Sequence, residues 1–197
     1  MNELDKLTVA GSGEAGESRR DLFDARVRAT VRYADPAAWT TATAVANALA
    51  GAEELLAKWQ HEIGMIAISD QGPGGTIAEV LAEGTRGFSQ PMHYAAASPG
   101  TLVGVPCIAF GLRGPTMNLT MIPQDGIPVA LTLCAGWLER KIAKLMIIAT
   151  CSTSSSGTMM SRALLLAPSG FSGSGTPLTE SVINWLTAVE PASGASA

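Results

Sequence analysis

Hydrophobic positions along this chain fall into two patterns that take turns. Short, nearly unbroken apolar runs recur at Lys6–Ala10 (KLTVA), Ile63–Ser69 (IGMIAIS), Thr116–Ile122 (TMNLTMI), Lys144–Thr150 (KLMIIAT) and Arg162–Ala167 (RALLLA). Runs of this length, closed by polar or glycine-containing turns, predict strands of a buried sheet. Between them, Pro36–Trp59, Thr76–Glu83 and Asp125–Lys141 carry apolar residues at helical spacing, and helices are predicted there. Pro36 and Pro128 suit first helical turns, and Asp125 suits an N-cap. Ser98–Leu112 is apolar and predicted helical in part, broken or kinked at Pro106. Ser152–Thr158 (STSSSGT) and Ser169–Thr176 (SGFSGSGT) read as connectors, and Pro191–Ala197 as a disordered end. Strands alternating with helices predict an α/β layer fold on a mostly parallel sheet. Residues 1–168 are expected to form the domain, and 169–197 a Gly/Ser-rich linker with a short tail.

Composition narrows the function. The chain has 197 residues, 47% hydrophobic and 15% charged, which suits one domain with a substantial core. A net charge of −4 argues against a nucleic-acid partner, and the basic residues cluster only at Arg19-Arg20 and Arg140-Lys141. No apolar run is long enough to span a membrane. The N-terminal residues lack the basic and apolar regions of a secretory signal, and three cysteines without CxxC spacing suggest reduced thiols, so a cytoplasmic protein is expected.

Several motifs carry candidate chemistry. Gly11-Ser12-Gly13-Glu14-Ala15-Gly16 is a literal GxGxxG after a strand, with Asp35 placed where a ribose-binding acid would sit. Glu14 and Glu17 would repel a pyrophosphate there, so a plain glycine turn is the better reading, with a nucleotide-dependent oxidoreductase kept as an alternative. Gly72-Pro73-Gly74-Gly75-Thr76 opens a helix but lacks the Gly-Lys-Ser/Thr ending of a nucleotide loop. His61 and His93 have no ligand or dyad partner at short spacing, so neither a metal nor a cofactor is expected. Cys107, Cys134 and Cys151 sit among apolar or Ser/Thr residues and read as small hydrophobes. A small acyltransferase using Cys107 or Cys151 is the remaining enzymatic alternative.

Between Phe110 and Thr150 the chain resembles the thiolase-fold β-ketoacyl synthases. FGLRGPTMNLT (Phe110–Thr120) is similar to their FGLxGP turn and the strand that pairs across their dimer. In that family the strand enters a Thr-Ala-Cys-Ala-Ser-Gly elbow at the start of a helix. Aligned from Gly114-Pro115, the nucleophilic cysteine falls on Pro123 and the closing glycine on Gly126, giving an elbow of Pro123, Gln124, Asp125 and Gly126. Ala143–Thr150 is similar to the later Ala-Asp-x-Met-Leu-Ala-Gly-Gly strand, with Lys144 for the aspartate and Ala149-Thr150 for the glycine pair. The resemblance extends over residues 6 to 167 and implies an αβα-layered, thiolase-like N-terminal half on a mostly parallel mixed sheet.

Proline has neither a nucleophilic side chain nor an N–H, so Pro123 can neither be acylated nor donate to an oxyanion hole. The two catalytic histidines of the condensing enzymes lie beyond the matching stretch, and none can be assigned. The resemblance thus implies a non-catalytic subunit like the chain length factor of type II polyketide synthases, closest to shortened proteins of polyene-type or other highly reducing systems. Chain length factors typically carry glutamine for the cysteine; here Gln124 lies one place later. The implied partners are a catalytic ketosynthase, met through Thr116, Met117, Asn118, Leu119, Thr120 and Met121, and indirectly an acyl carrier protein. Val105, Phe110, Met117 and Met121 are the expected gate on the length of the acyl tunnel.

Overall fold

A computed structural model describes residues 6–87, 90–154, 156–171 and 175–188. Six strands form one sheet: β1 (Leu7–Ala15), β2 (Ile63–Ile68), β3 (Thr116–Leu119), β4 (Leu145–Thr153), β5 (Met159–Pro168) and β6 (Thr176–Pro177). Their order is β3-β2-β4-β5-β1-β6. Parallel pairing is confined to β3, β2 and β4, whereas β4/β5, β5/β1 and β1/β6 are antiparallel, so the sheet is mixed as expected, but with more antiparallel than parallel pairings. The difference arises because β4 returns through a hairpin at Ser154–Thr158, where the Ser154 N–H donates to the Thr158 carbonyl at 2.8 Å. The expected connector is therefore a β-turn between two strands.

Side-chain alternation divides the sheet into two largely apolar faces. Ile63, Met65 and Ala67 of β2, with Leu145, Ile147, Ala149 and Cys151 of β4 and Ala163, Leu165 and Ala167 of β5, face one helical layer. Ile66, Ile68, Met146, Ile148, Leu164 and Leu166 face the other. The first layer contains α2 (Pro36–Leu49), α3 (Glu53–Trp59) and α6 (Thr101–Phe110); the second contains α7 (Pro123–Glu139) and α8 (Glu180–Thr187). Helices α1 (Ala25–Thr30), α4 (Gly74–Thr85) and α5 (Pro91–Ala96) are the remaining α-helices among the described residues.

Helix α2 is Ala- and Thr-rich and buried nearly all round, as a helix apolar on every side must be. Thr40, Thr41 and Thr43 satisfy their hydroxyls on the carbonyls of Pro36, Ala37 and Trp39, one turn back. The expected continuous helix to Trp59 is divided at Gly51, whose φ of +82° reverses the chain. Pro106 leaves α6 unbroken from Thr101 to Phe110. Part of the expected tail is ordered structure: β6 pairs with β1, and α8 buries Leu186 against the second face.

Candidate functional site

The FGLRGP segment positions the candidate site. Gly111 ends α6 in the left-handed region (φ +66°), a conformation that favours glycine, and its N–H caps the Cys107 carbonyl. The turn then binds the start of β2: Arg113 and Gly114 donate their N–H groups to the carbonyls of Gln60 and Ile63, and Met65 donates to Pro115. These bonds fix the register of β3, in which Thr116, Met117, Asn118 and Leu119 face Met65, Ile66, Ala67 and Ile68.

β3 lies at one end of the sheet order and, among the described residues, pairs only with β2. The carbonyls of Pro115 and Leu119 turn toward β2, accepting from Met65 and Ser69. Period-two alternation therefore turns the backbone groups of Thr116 and Asn118 outward. Among the described residues β3 is an open edge. The side-chain oxygen of Asn118 is buried without a hydrogen-bond partner. The strand is shorter than expected; Thr120 and Met121 belong to the bend that follows it.

The helix after the bend starts earlier than the sequence pattern suggested. Ile122 is the N-cap, without a side-chain cap bond, and Pro123 is the first helical residue; Asp125 lies in the first turn, not at the cap, and Pro128 lies inside the helix. Pro123 suits this place because the first helical N–H has no intrahelical partner. Pro123 and Gly126 are buried, Gln124 and Asp125 exposed. A Cβ on Gly126 would stand 2.4 Å from the Ile68 Cγ2, so glycine lets the helix rest on β2. Residues 123–126 thus form the first turn of the helix at a strand–bend–helix corner, with Pro123 leading it.

The four expected gate residues are divided between the two faces of the sheet. Val105 is buried with Phe23, Ala38 and Trp39, and Phe110 meets the Phe23 ring edge-on at 5.9 Å. Val105 also lines an apolar groove of about 320 Å³ between α1, α5 and α6. Met117 and Met121 pack on the opposite face, beneath α7. Met117 and Met121 come together; Val105 and Phe110 lie apart from them.

The enzymatic alternatives meet unfavourable geometry. Gly11 and Gly13 lie inside β1, not in a turn, because α2 rides directly over them. A Cβ on Gly13 would sit 2.4 Å from the Ala48 nitrogen, and one on Gly11 2.1 Å from the Ala48 oxygen. The glycines thus serve helix-on-strand packing and leave no cradle for a phosphate. Asp35 is no ribose ligand: its buried carboxylate caps α2 at Ala37 N–H and accepts from Thr76 N–H at the start of α4, both at 2.7 Å. That contact fills the anion position that the Gly72–Thr76 loop would otherwise offer. Burial pushes the Cys107 thiol up to about 11. It also raises those of Cys134 and Cys151, the latter opposed by hydrogen bonds to Ser161 and Thr41. None is poised as a thiolate near neutral pH.

Sequence reading missed two clusters. His93 does have an acidic partner, Glu83, with Nδ1 to Oε1 at 2.9 Å, but the two lie ten positions apart in the chain. On the second face, the register aligns Leu119, Ile68, Thr150, Arg162 and Glu14 in one row across five strands. Arg162 is buried, and its Nε donates to Glu14 Oε2 at 3.2 Å. A charged residue inside an apolar strand such as MMSRALLLAP was the available signal. Among the described residues, no group of His, Cys, Asp or Glu side chains is arranged to hold a metal, and no helix is long and apolar enough to cross a membrane.

No protein-family model matches the sequence, and no curated protein matches it. Solved structures do. The ishigamide ketosynthase/chain length factor superposes with a TM-score of 0.67 at 11% identity, over 88% of this chain and 64% of that one. The type II polyketide synthase complex AntDE:AntF, an acyl carrier protein with its ketosynthase bound to the hexaketide, gives 0.64 at 16% identity, over 84% and 63%. A chain of the ketosynthase ApeO in complex with its chain length factor ApeC, from Xenorhabdus doucetiae, gives 0.60 at 14% identity, over 92% of both chains. The chain spans slightly under two thirds of the length of the first two. The fold is that of the ketosynthases, a thiolase-like α/β architecture built on a mixed six-stranded sheet.

Proposed function

We propose that this chain is a non-catalytic, ketosynthase-like subunit that pairs with an active ketosynthase of a type II polyketide synthase. What supports this reading is Pro123, the first residue of the helix after β3, onto which the sequence resemblance aligns the cysteine of the condensing enzymes. Pairing runs through β3: its outward backbone groups at Thr116 and Asn118 await donors and acceptors from an equivalent strand. The ApeO–ApeC match supports the reading, because the matched chain in that ketosynthase/chain length factor complex has about this chain's length. The partner condenses units delivered by an acyl carrier protein in the cytoplasm, and this subunit stabilises it and shapes the end of its acyl tunnel through Val105, Phe110, Met117 and Met121. The role requires no cofactor or metal.

Co-expression with a catalytic ketosynthase of a type II polyketide synthase, followed by size-exclusion chromatography, tests the proposal. A one-to-one complex that forms carrier-bound acyl products is expected. A monodisperse monomer that ignores the ketosynthase would overturn it.

A further inference from the structure

The second face of the sheet holds an arrangement that the pairing role does not use. Helix α8 ends beside the elbow, and three side chains from elsewhere in the chain receive its last carbonyls in succession. Thr150 Oγ1 donates to the Leu186 carbonyl at 2.9 Å in a buried contact. Gln124, the second residue of the elbow helix, donates its amide to the Thr187 carbonyl at 3.4 Å. Arg162 donates to the Ala188 carbonyl and places its guanidinium 5.5 Å from the centre of the Trp185 ring.

Carbonyls at a helix C-terminus have no intrahelical partners and carry the negative end of the helix dipole. A buried arginine there, itself paired with Glu14, complements that charge. The receiving row also fixes where α8 can end. Ile68, Thr150 and Arg162 are cross-strand neighbours: Gly126 of α7 rests over Ile68, and the end of α8 rests over Thr150 and Arg162. The N-terminus of α7 and the C-terminus of α8 are thus brought together through Gln124 and Thr187, ends that carry opposite partial charge. Gln124 and Thr150 are also places where the chain differs from the condensing-enzyme pattern, so the departures coincide with the contacts.

We propose that α8 is a built-in stopper for the elbow: latched by Thr150, Gln124 and Arg162, its C-terminal end occupies the approach to Pro123 and closes that corner to acyl groups. The carbonyl end also sets a negative potential where an oxyanion would have to be stabilised. This deepens the reading of a non-catalytic subunit, since it keeps incoming chains on the partner's elbow. It is independent of whether pairing runs through β3.

The test restores the thiol. In the full chain with Cys107→Ser, Pro123→Cys is alkylated with iodoacetamide and followed peptide by peptide by mass spectrometry. With α8 latched, labelling at position 123 is expected to run at least tenfold slower than after Thr150→Val and Arg162→Met are added to release it. Equal rates with and without the latch would overturn the stopper, and co-purification with the ketosynthase, read on the same samples, reports separately on the pairing reading. Should Pro123→Cys fail to fold, hydrogen exchange decides on the otherwise unaltered chain. Arg162→Met must then raise exchange at Gly126 and Ile127 together with that of α8 by about tenfold. Opening of α8 with elbow protection unchanged would refute the proposal.

Discussion

Gly13 shows how one atom decides between two functions. Its missing Cβ lets α2 approach β1 so closely that a methyl group would lie 2.4 Å from the Ala48 nitrogen. If these glycines served a nucleotide, Gly13→Ala would cost binding and leave the fold intact. Here it must push a buried helix off the sheet, and overpacking of this kind costs about 1–3 kcal/mol or more. A lowered denaturation midpoint is expected in a urea titration, and unchanged stability would reopen the nucleotide reading. The thiols make a second residue-scale case. Burial keeps Cys107 protonated up to about 11, against an ordinary value of 9.0. Below pH 9 the thiol is neutral in both folded and unfolded chains, and its stabilising contribution is fully present. Between pH 9 and about 11 the unfolded chain ionises first, so that contribution is lost as pH rises. The unfolding midpoint of the wild type should therefore fall more steeply over this window than that of Cys107→Ala. In the paired complex, Cys107→Ala, Cys134→Ala and Cys151→Ala should each leave condensation within about tenfold, a change of under ~1.4 kcal/mol. A loss of three decades in an assembled complex would make that cysteine a nucleophile. What sequence could not supply at this scale was partnership across long loops. The Asp35 contact to Thr76 spans 41 positions and the pair Arg162–Glu14 spans 148.

Elements were legible where their pattern is local. β2 and β4 are apolar on both faces, and their unbroken runs gave them away; α2 announced itself through Pro36 and its alanines. Ends were less legible, because they depend on what the terminal backbone groups meet. α7 begins at Pro123 because Ile122 turns the chain there, although Asp125 is the better cap by residue type. α8 escaped notice altogether, since its eight residues are stabilised by docking onto the sheet more than by propensity. The elbow and its proline were readable only through the spacing from Gly114-Pro115. The edge strand β3 carries the element-scale prediction. The Asn118 N–H points away from β2, and proline is tolerated at an edge position of that kind because no ladder bond is lost. Asn118→Pro should therefore leave the subunit folded, with a near-wild-type circular dichroism spectrum, and weaken assembly with the ketosynthase at least tenfold by size-exclusion or interferometry. Full assembly with proline at 118 would remove β3 from the interface.

At the scale of the whole molecule, the sheet separates two jobs that the sequence had joined. Val105, Phe110, Met117 and Met121 were expected to act as one gate, yet Val105 and Phe110 pack with Phe23 and Trp39 while Met117 and Met121 lie under α7. Periodicity along α6 and β3 could not show this, because it fixes the face of each element and not which layer that face meets. The division gives the chain-length proposal two separable arms. Met117 and Met121 are partly buried, flexible and placed on the edge strand and its bend, where a chain entering from a partner would meet them first. A growing acyl chain stops where the next two-carbon unit must overlap such a side chain, at a cost of about 1–3 kcal/mol. Met117→Ala and Met121→Ala should then lengthen the product by one or two units without slowing the first condensation. Phe110 supports two clusters at once, so Phe110→Ala should lower the stability of the subunit by up to ~3–5 kcal/mol, with product length following only if the complex survives. Val105→Ala opens the 320 Å³ groove between α1, α5 and α6 and tests whether that space, on the far face, ever receives the chain. Mass spectrometry of carrier-bound products from the intact variant complexes separates the arms. Longer products from the methionine variants alone would put the gate on the α7 face, and longer products from Val105→Ala alone would move it to the α6 groove. A distribution unchanged in all four would leave this subunit a stabiliser of its partner, with chain length set elsewhere.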